Sequence, residues 1–450
     1  MKPTLKAGFS RVNITPPMGV EISGYFVTRI ADGVLDELYA NALAVSLGDK
    51  TAIFVSADLI GITDDLRDEI AAIITQKTGV PQEAVFIGAT HTHTGPMLLH
   101  DQGVACLEYV AILKNKIADA AKFAVDDLKP AKMGYGIGQA PNVAFVRRFR
   151  MKDGSVRTNP GVDNPDIVGP IGDVDERVSV LRFDREHAET LVLVNFANHP
   201  DVVGGCRISA DWPGLLCASV EKAIDNTKCL FFNGAQGDVN HVNVHPKAGD
   251  FNGMFMDFDD VARGYEHARY IARVVLGGVL QCYDKVHYVD VDALKYLQRE
   301  VTIPSNMPTP EELSTAIRIH ELHTAGKDEE IPYTGMMLTT VVAEAGRMVR
   351  LKDGPESFKM RLCGISIGPV AFVSIPGEGF TGIGRGFKNT DGYDLIIPCG
   401  LTNGYQGYFP MKDAYDEGGY EARSSRYKVG VAEMLISEGK MLLKELETMG

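Results

Sequence analysis

Short apolar runs rich in β-branched and aromatic residues recur along the chain, each leading into a polar or glycine-containing turn. Residues 51–56 form one such run, and 84–89 form another. Both read as buried strands. Between them Leu66, Ile70, Ile73 and Ile74 share one helical stripe, with Gly79 as the stop. Strand, helix, strand is the signature of a βαβ unit. The same reading predicts strands at 190–196, 228–232, 286–294, 360–367, 370–375 and 395–398. It predicts helices at 107–127, 261–282 and 429–446. A further helix opens at Thr309, where Thr309, Pro310 and Glu312 supply the N-cap, first-turn proline and capping-box glutamate. No repeat and no low-complexity linker interrupts the pattern. The polar, Gly/Pro-rich stretch 152–175 reads as a surface excursion. Residues 1–450 are therefore expected to form one large α/β unit.

Composition narrows the function. Apolar residues make up 45% of the 450, enough for a large core. A net charge of −14 argues against a nucleic-acid binder and against attraction to anionic membranes. No apolar run reaches the roughly 18 residues of a spanning helix. No secretory h-region follows Met1, so a cytoplasmic location is expected. Seven scattered cysteines, with no CxxC pair, read as free thiols rather than a disulfide or zinc framework.

The candidate chemistry sits just past the predicted strands, where open α/β sheets place their ligands. Thr90-His91-Thr92-His93-Thr94-Gly95-Pro96 follows the run ending at Ala89. In extended chain, alternate residues share a face, so His91 and His93 are expected to point the same way. Imidazole is the commonest zinc ligand among side chains. His199-Pro200 follows the run ending at Phe196, and Glu378 follows the turn Pro376-Gly377. Tyr405 and Tyr408 lie in the glycine-rich loop 400–408, and Gly237, Asp238 and Asn240 in the loop 233–240. Asp211 and Asp238 read as turn aspartates, His100 as a surface residue, and His320 and His323 as a solvated helix face. His241 and His245 are more distant candidates for substrate contact.

Taken together and in order, these motifs resemble the N-terminal catalytic domain of the neutral/alkaline non-lysosomal ceramidase family. The resemblance runs from residues 7–17 through 36–40, 56–58, 89–96, 198–200, 209–214 and 233–240 to 375–378, 403–408 and Tyr420-Glu421. It implies an α/β fold of mixed sheets flanked by helices. It also implies one zinc ion held by His91, His199, Glu378 and Tyr408, with Tyr405 the fallback for the phenol. His93 is then expected to face the substrate as general base or acid. Arg147, or the adjacent Arg148, is expected to stabilise charge, and Asn240, Gly237, Tyr405 and Tyr420 to line the substrate site. The chain departs from the family where Asn240 replaces a serine proposed as nucleophile, and the family's C-terminal immunoglobulin-like domain is not expected within residues 1–450.

The expected activity is hydrolysis of a non-peptide C–N bond in a small or lipid-like amide, with zinc-activated water in place of the serine. Ester or lactone hydrolysis, a metal-dependent lyase or isomerase, and a non-catalytic binding protein on the same scaffold are the alternatives. An N/O ligand set also suits manganese or iron. Oligomeric state is not encoded in any of these features.

Overall fold

A computed structural model describes residues 3–98 and 104–449, with side chains of the helix that begins at Val104 described from Cys106 onward. His100 lies outside the described residues. Among them no helix is long and apolar enough to cross a membrane, and no disulfide links the cysteines.

Among the described residues, nine strands form the larger sheet. Its main path runs Thr227–Asn233, Thr190–Phe196, Arg177–Arg185, Lys129–Gln139, Lys6–Asn13, Tyr39–Leu47, Lys50–Ala57, Val85–Ala89, and His287–Val289 adds to Lys129–Gln139. The sheet is antiparallel at its centre and parallel at both ends, where Lys50–Ala57 pairs with Val85–Ala89 and Thr190–Phe196 with Thr227–Asn233. A second sheet of four strands runs Leu294–Pro304, Ser357–Ile367, Val370–Ile375, Leu395–Gly400, and its last two strands are again parallel. The expected βαβ unit is present. Its helix, Asp64–Thr78, is opened by the Thr63 side chain accepting from the Leu66 amide and closed by Gly79 at φ 75°.

The two sheets stack through one apolar layer. Phe54, Phe86 and Phe232 of the larger sheet meet Phe372 of the smaller, with the Phe54 and Phe372 ring centroids 4.7 Å apart. Helices cover the outer faces. Asp64–Thr78 and Val104–Asp126 pack on one part of the large sheet, and Asp211–Ala223 and Tyr265–Tyr283 on another. Thr381–Lys388 and Val431–Thr448 cover the small sheet. This is the expected α/β architecture of mixed sheets flanked by helices.

Some boundaries differ from the sequence reading, each for a local reason. The helix expected at 261–282 starts at Tyr265, because Ala262–Arg263 pairs with Phe255–Met256 and Gly264 precedes the first turn. The strand expected at 286–294 is two strands, since the chain leaves the large sheet after Val289 and enters the small one at Leu294. The 152–175 excursion is partly ordered as β-structure. Arg148–Met151 pairs with both Val156–Thr158 and Ile167–Pro170. The capping box at Thr309 forms as expected.

The parallel pairs matter because their carboxyl ends come together. Asn403, past Leu395–Gly400, donates its amide to the Ile87 carbonyl (2.7 Å) and accepts from the Ile87 amide (2.9 Å). The Gly237 amide, past Thr227–Asn233, donates to the Gly379 carbonyl (2.8 Å). Asp58, just past Lys50–Ala57, is 3% exposed. It accepts from the Tyr39 amide (2.8 Å) and the Thr90 hydroxyl (3.2 Å), tying three strand ends.

Two consequences are measurable. Phe372→Ala opens a cavity between the sheets and is expected to cost about 3–5 kcal/mol, read as a lowered urea midpoint. Burial pushes the Asp58 carboxyl up to about 7, whereas in the unfolded chain it ionises near ~3.9. Between those values the folded state binds more protons, so the Asp58 contribution to stability falls as pH rises, by about 1.4 kcal/mol per pH unit. Asp58→Asn is expected to remove that slope, measured as unfolding free energy against pH for both proteins.

Candidate metal centre

Every candidate donor is carried by a segment that leaves a strand at this shared end. His91 and His93 follow Val85–Ala89, and His199 follows Thr190–Phe196. Glu378 follows Val370–Ile375, and Tyr405 and Tyr408 follow Leu395–Gly400. His91 and His93 converge, but not through extended chain. His91 lies at φ 79°, in the left-handed region. That conformation is costly for a residue with a β-carbon and clusters at functional sites. The His91 amide is held by the Leu59 carbonyl (2.8 Å) and the His93 amide by the Pro200 carbonyl (3.2 Å).

The three imidazoles meet through their Nε2 atoms. His91 and His199 are 3.2 Å apart, His93 and His199 3.1 Å, and His91 and His93 3.4 Å. Glu378 Oε2 lies 3.3 Å from His91 Nε2 and 3.8 Å from His199 Nε2. All four side chains are buried. Among the described residues, His91, His93 and His199 form a group whose ligand atoms gather closely enough to hold a metal ion. Tetrahedral ligands at about 2.0–2.1 Å from zinc stand roughly 3.4 Å from one another, so the spacings fit. So does the chemistry. His91 Nδ1 lies 2.6 Å from the Ile60 carbonyl and donates to it, so in the neutral ring Nε2 is the nitrogen with a lone pair for the site. Glu378 Oε2 is buried without a hydrogen-bond donor. Acceptors gathered in this way repel one another unless a cation lies between them.

The electrostatics agree. Burial alone would raise the Glu378 carboxyl, but His91, His199 and Tyr408 draw it well below the usual carboxylate range. Burial lowers His199 far below an ordinary imidazole, with Arg147 adding to the effect. Burial also takes His93 down to about 3, against the pull of Asp201. Burial, and next the Glu378 charge, push both Tyr405 and Tyr408 upward.

Around the donors, Tyr405 donates to Glu378 Oε1 (2.9 Å). Tyr408 stands opposite Glu378 in a short parallel ladder, Glu378–Gly379 with Tyr408–Phe409. Its hydroxyl accepts from Arg147 Nη2 (3.1 Å), which also donates to the Gly237 carbonyl (2.6 Å). Arg147 Nε lies 2.7 Å from Glu421 Oε1. Arg148 instead donates to Glu417 and the Gly418 carbonyl, so Arg147 is the arginine at the centre. The Tyr420 ring stands edge-on to Tyr408, with centroids 5.5 Å apart. Gly237 leaves no room for a side chain, because a β-carbon there would lie 2.5 Å from the Glu378 carbonyl oxygen. Asn240 donates to Asn159 (3.0 Å) and accepts from the Val242 amide (3.0 Å), which binds it into the surrounding loops.

Several secondary readings resolve simply. Asp211 accepts from the Val202, Val203 and Trp212 amides, and Asp238 from Thr381, as turn aspartates do. His323 pairs with Asp328 (2.8 Å), and His245 is exposed. His241 lies 2.8 Å from the Ala262 carbonyl. Ile60, Tyr25, Asp201 and Arg263 had no part in the sequence reading. Of these only Asp201 gave a signal, as a carboxylate two residues after His199 on the same turn. Asp201 Oδ1 lies 3.6 Å from His93 Nδ1, and the Tyr25 ring 5.7 Å from the His93 ring.

No protein-family model matches the sequence. Solved structures do resemble the fold. Neutral ceramidase from Pseudomonas aeruginosa superposes with a TM-score of 0.75 at 18% identity, covering 99% of this chain and 75% of that one. A ceramidase complexed with C2 superposes with a TM-score of 0.72 at 16% identity, covering 100% of this chain and 77% of that one. Over nearly its whole length, then, the chain has the fold of neutral ceramidase, as the order of its motifs implied.

Proposed function

We propose that this chain is a zinc-dependent hydrolase of a non-peptide amide bond. The observation that carries the reading is the convergence of the His91 and His199 Nε2 atoms, 3.2 Å apart, with Glu378 Oε2 at 3.3 and 3.8 Å from them, all buried. His91, His199 and Glu378 are three of the four ligands that the ceramidase resemblance implies, and the fourth, Tyr408, accepts a hydrogen bond from Arg147 here. His93 Nε2, 3.1–3.4 Å from the two histidine donors, stands beside the site as its general base or acid. Zinc at this point would supply a Lewis acid and a water that ionises near pH 7.

The remaining groups have roles that follow from their contacts. Tyr405 fixes the Glu378 carboxylate through its hydrogen bond to Oε1. Arg147 keeps its charge when buried, because Tyr408 and Glu421 outweigh the cost of desolvation. It and the Tyr408 hydroxyl are the donors for the carbonyl oxygen of the amide as negative charge develops there. Asn240 cannot act as a nucleophile, and its amide is already engaged.

The approach to the site suits an amide with an apolar arm. One line of rings runs from Tyr408 through Tyr420 to Phe26 (5.5 and 6.5 Å between centroids). Another runs from His93 through Tyr25 to Phe258 (5.7 and 5.1 Å). Phe26 and Phe258 line a cleft of about 80 Å³ together with Val27, Leu338 and Val342. N-acyl amides are accordingly the substrate class to screen.

Metal analysis of the purified protein tests the centre. One zinc per chain is expected, lost in His91→Ala and His199→Ala together with hydrolysis of N-acyl amides. A wild type that takes up no zinc on addition rules the reading out. Tyr408→Phe is expected to keep the zinc and lower kcat by about 10²–10³, the usual loss of one oxyanion donor. Loss of zinc from that variant would make Tyr408 a ligand instead.

A further inference from the structure

We propose that His241 and His267 form a second metal site, which takes one divalent transition-metal ion and shares no residue with the centre above. Two orphaned nitrogens open on one cavity. His241 is 2% exposed, and its Nδ1 is buried without a hydrogen-bond partner. His267 Nε2 is buried and likewise has none. Both side chains line a cavity of about 20 Å³ with Phe145, Asn243, Asp250 and Phe251. A space of that size admits one water-sized body rather than an organic ligand.

The rings are set for a cation. His241 Nε2 lies 2.8 Å from the Ala262 carbonyl and donates to it, so in the neutral ring Nδ1 holds the free lone pair. Metal-bound imidazoles commonly donate their other N–H to a carbonyl in this way. Burial lowers both imidazoles, His267 to about 4, so both are neutral near pH 7. The ring centroids are 5.9 Å apart. Two imidazoles sharing one ion at about 2.0–2.1 Å have centroids roughly 5–6 Å apart, so the spacing fits.

Asp250 brings negative charge to the same cavity. Its Oδ2 accepts from the Asn243 side-chain amide (3.1 Å) and the Lys247 amide (2.9 Å), which ties the carboxylate to the wall. With two protein nitrogens, water completes the coordination, and the site binds more weakly than the metal centre. Imidazole donors suit zinc, nickel and copper, and copper binds tightest in the general order of divalent ions. An ion here joins the helix Tyr265–Tyr283, which carries His267, to the segment that follows Val239–Asn240.

The test is titration of the zinc-loaded protein with cupric ion, read by electron paramagnetic resonance, for wild type, His241→Ala and His267→Ala. Wild type is expected to bind one copper with hyperfine splitting from two nitrogens. Each variant is expected to weaken that binding by more than the roughly 10–100-fold lost when only an outer partner of a ligand is removed. The same signal is expected in protein carrying both His91→Ala and His199→Ala, which separates this site from the zinc reading. Loss of the signal there would place the copper at the zinc centre and overturn the proposal. Wild-type affinity and spectrum in the His241 and His267 variants would overturn it, as would a wild type that binds no such copper, with only water in the cavity. His267 is part-exposed on its helix, so His267→Ala decides the matter alone should His241→Ala not fold.

Discussion

Everything at the centre depends on two sheets being pressed face to face. The Phe54, Phe86, Phe232 and Phe372 layer fixes the distance between them, and aromatic side chains bury a large apolar area in such a layer. With that distance set, the carboxyl ends of three parallel pairs open toward one another. Two of the pairs belong to the large sheet and one to the small. No single βαβ unit could assemble this group. The histidines come from the large sheet and the glutamate and tyrosines from the small one, so the site exists only where both sheets end. The bonds from Asn403 to Ile87 and from Gly237 to Gly379 lock that meeting at the backbone.

A second constraint is electrostatic. Buried acceptors that face one another without donors are unfavourable, and a fold keeps such an arrangement only when the surrounding structure over-determines it. The over-determination is visible. His91 is held in a left-handed conformation with its amide and Nδ1 both bonded to backbone carbonyls. Glu378 is tied through its amide to the Gly407 carbonyl and through Oε1 to Tyr405. His93 is fixed from behind by the Arg29, Tyr25 and Arg263 stack. Three independent sets of contacts thus hold His91, Glu378 and His93 in place around the site.

The sequence was most informative where the period of the pattern and the punctuation agreed. Buried strands are short continuous apolar runs, so 51–56, 84–89, 190–196 and 370–375 were visible without the fold, and with them His91, His199 and Glu378 as residues just past strand ends. The convergence of His91 with His93 was anticipated for the wrong geometric reason. Alternation in extended chain implied a shared face, whereas a left-handed residue turns the two rings together. Arg147 was the better match in sequence with Arg148 its adjacent alternative, because adjacent residues diverge fully only once the strand beneath them is known. The run 286–294 could not reveal that it passes from one sheet to the other, since an apolar run carries no mark of which sheet it joins. Tyr25 and Arg263 were invisible for the plainest reason. Neither lies near a histidine in sequence, and only the packing brings them to Asp201.

Asn240 separates the scaffold from the chemistry. A fold shared with ceramidase at 16–18% identity establishes the arrangement of strands and loops, not the reaction. Asn240 carries an amide that bonds Asn159 and caps its own turn. Three Nε2 atoms remain within 3.4 Å of one another, a carboxylate lies beside them, and an arginine and a tyrosine are linked at the edge. Under the proposed reading these groups would hold the metal and stabilise charge, and the attacking oxygen would come from water, since Asn240 offers no hydroxyl.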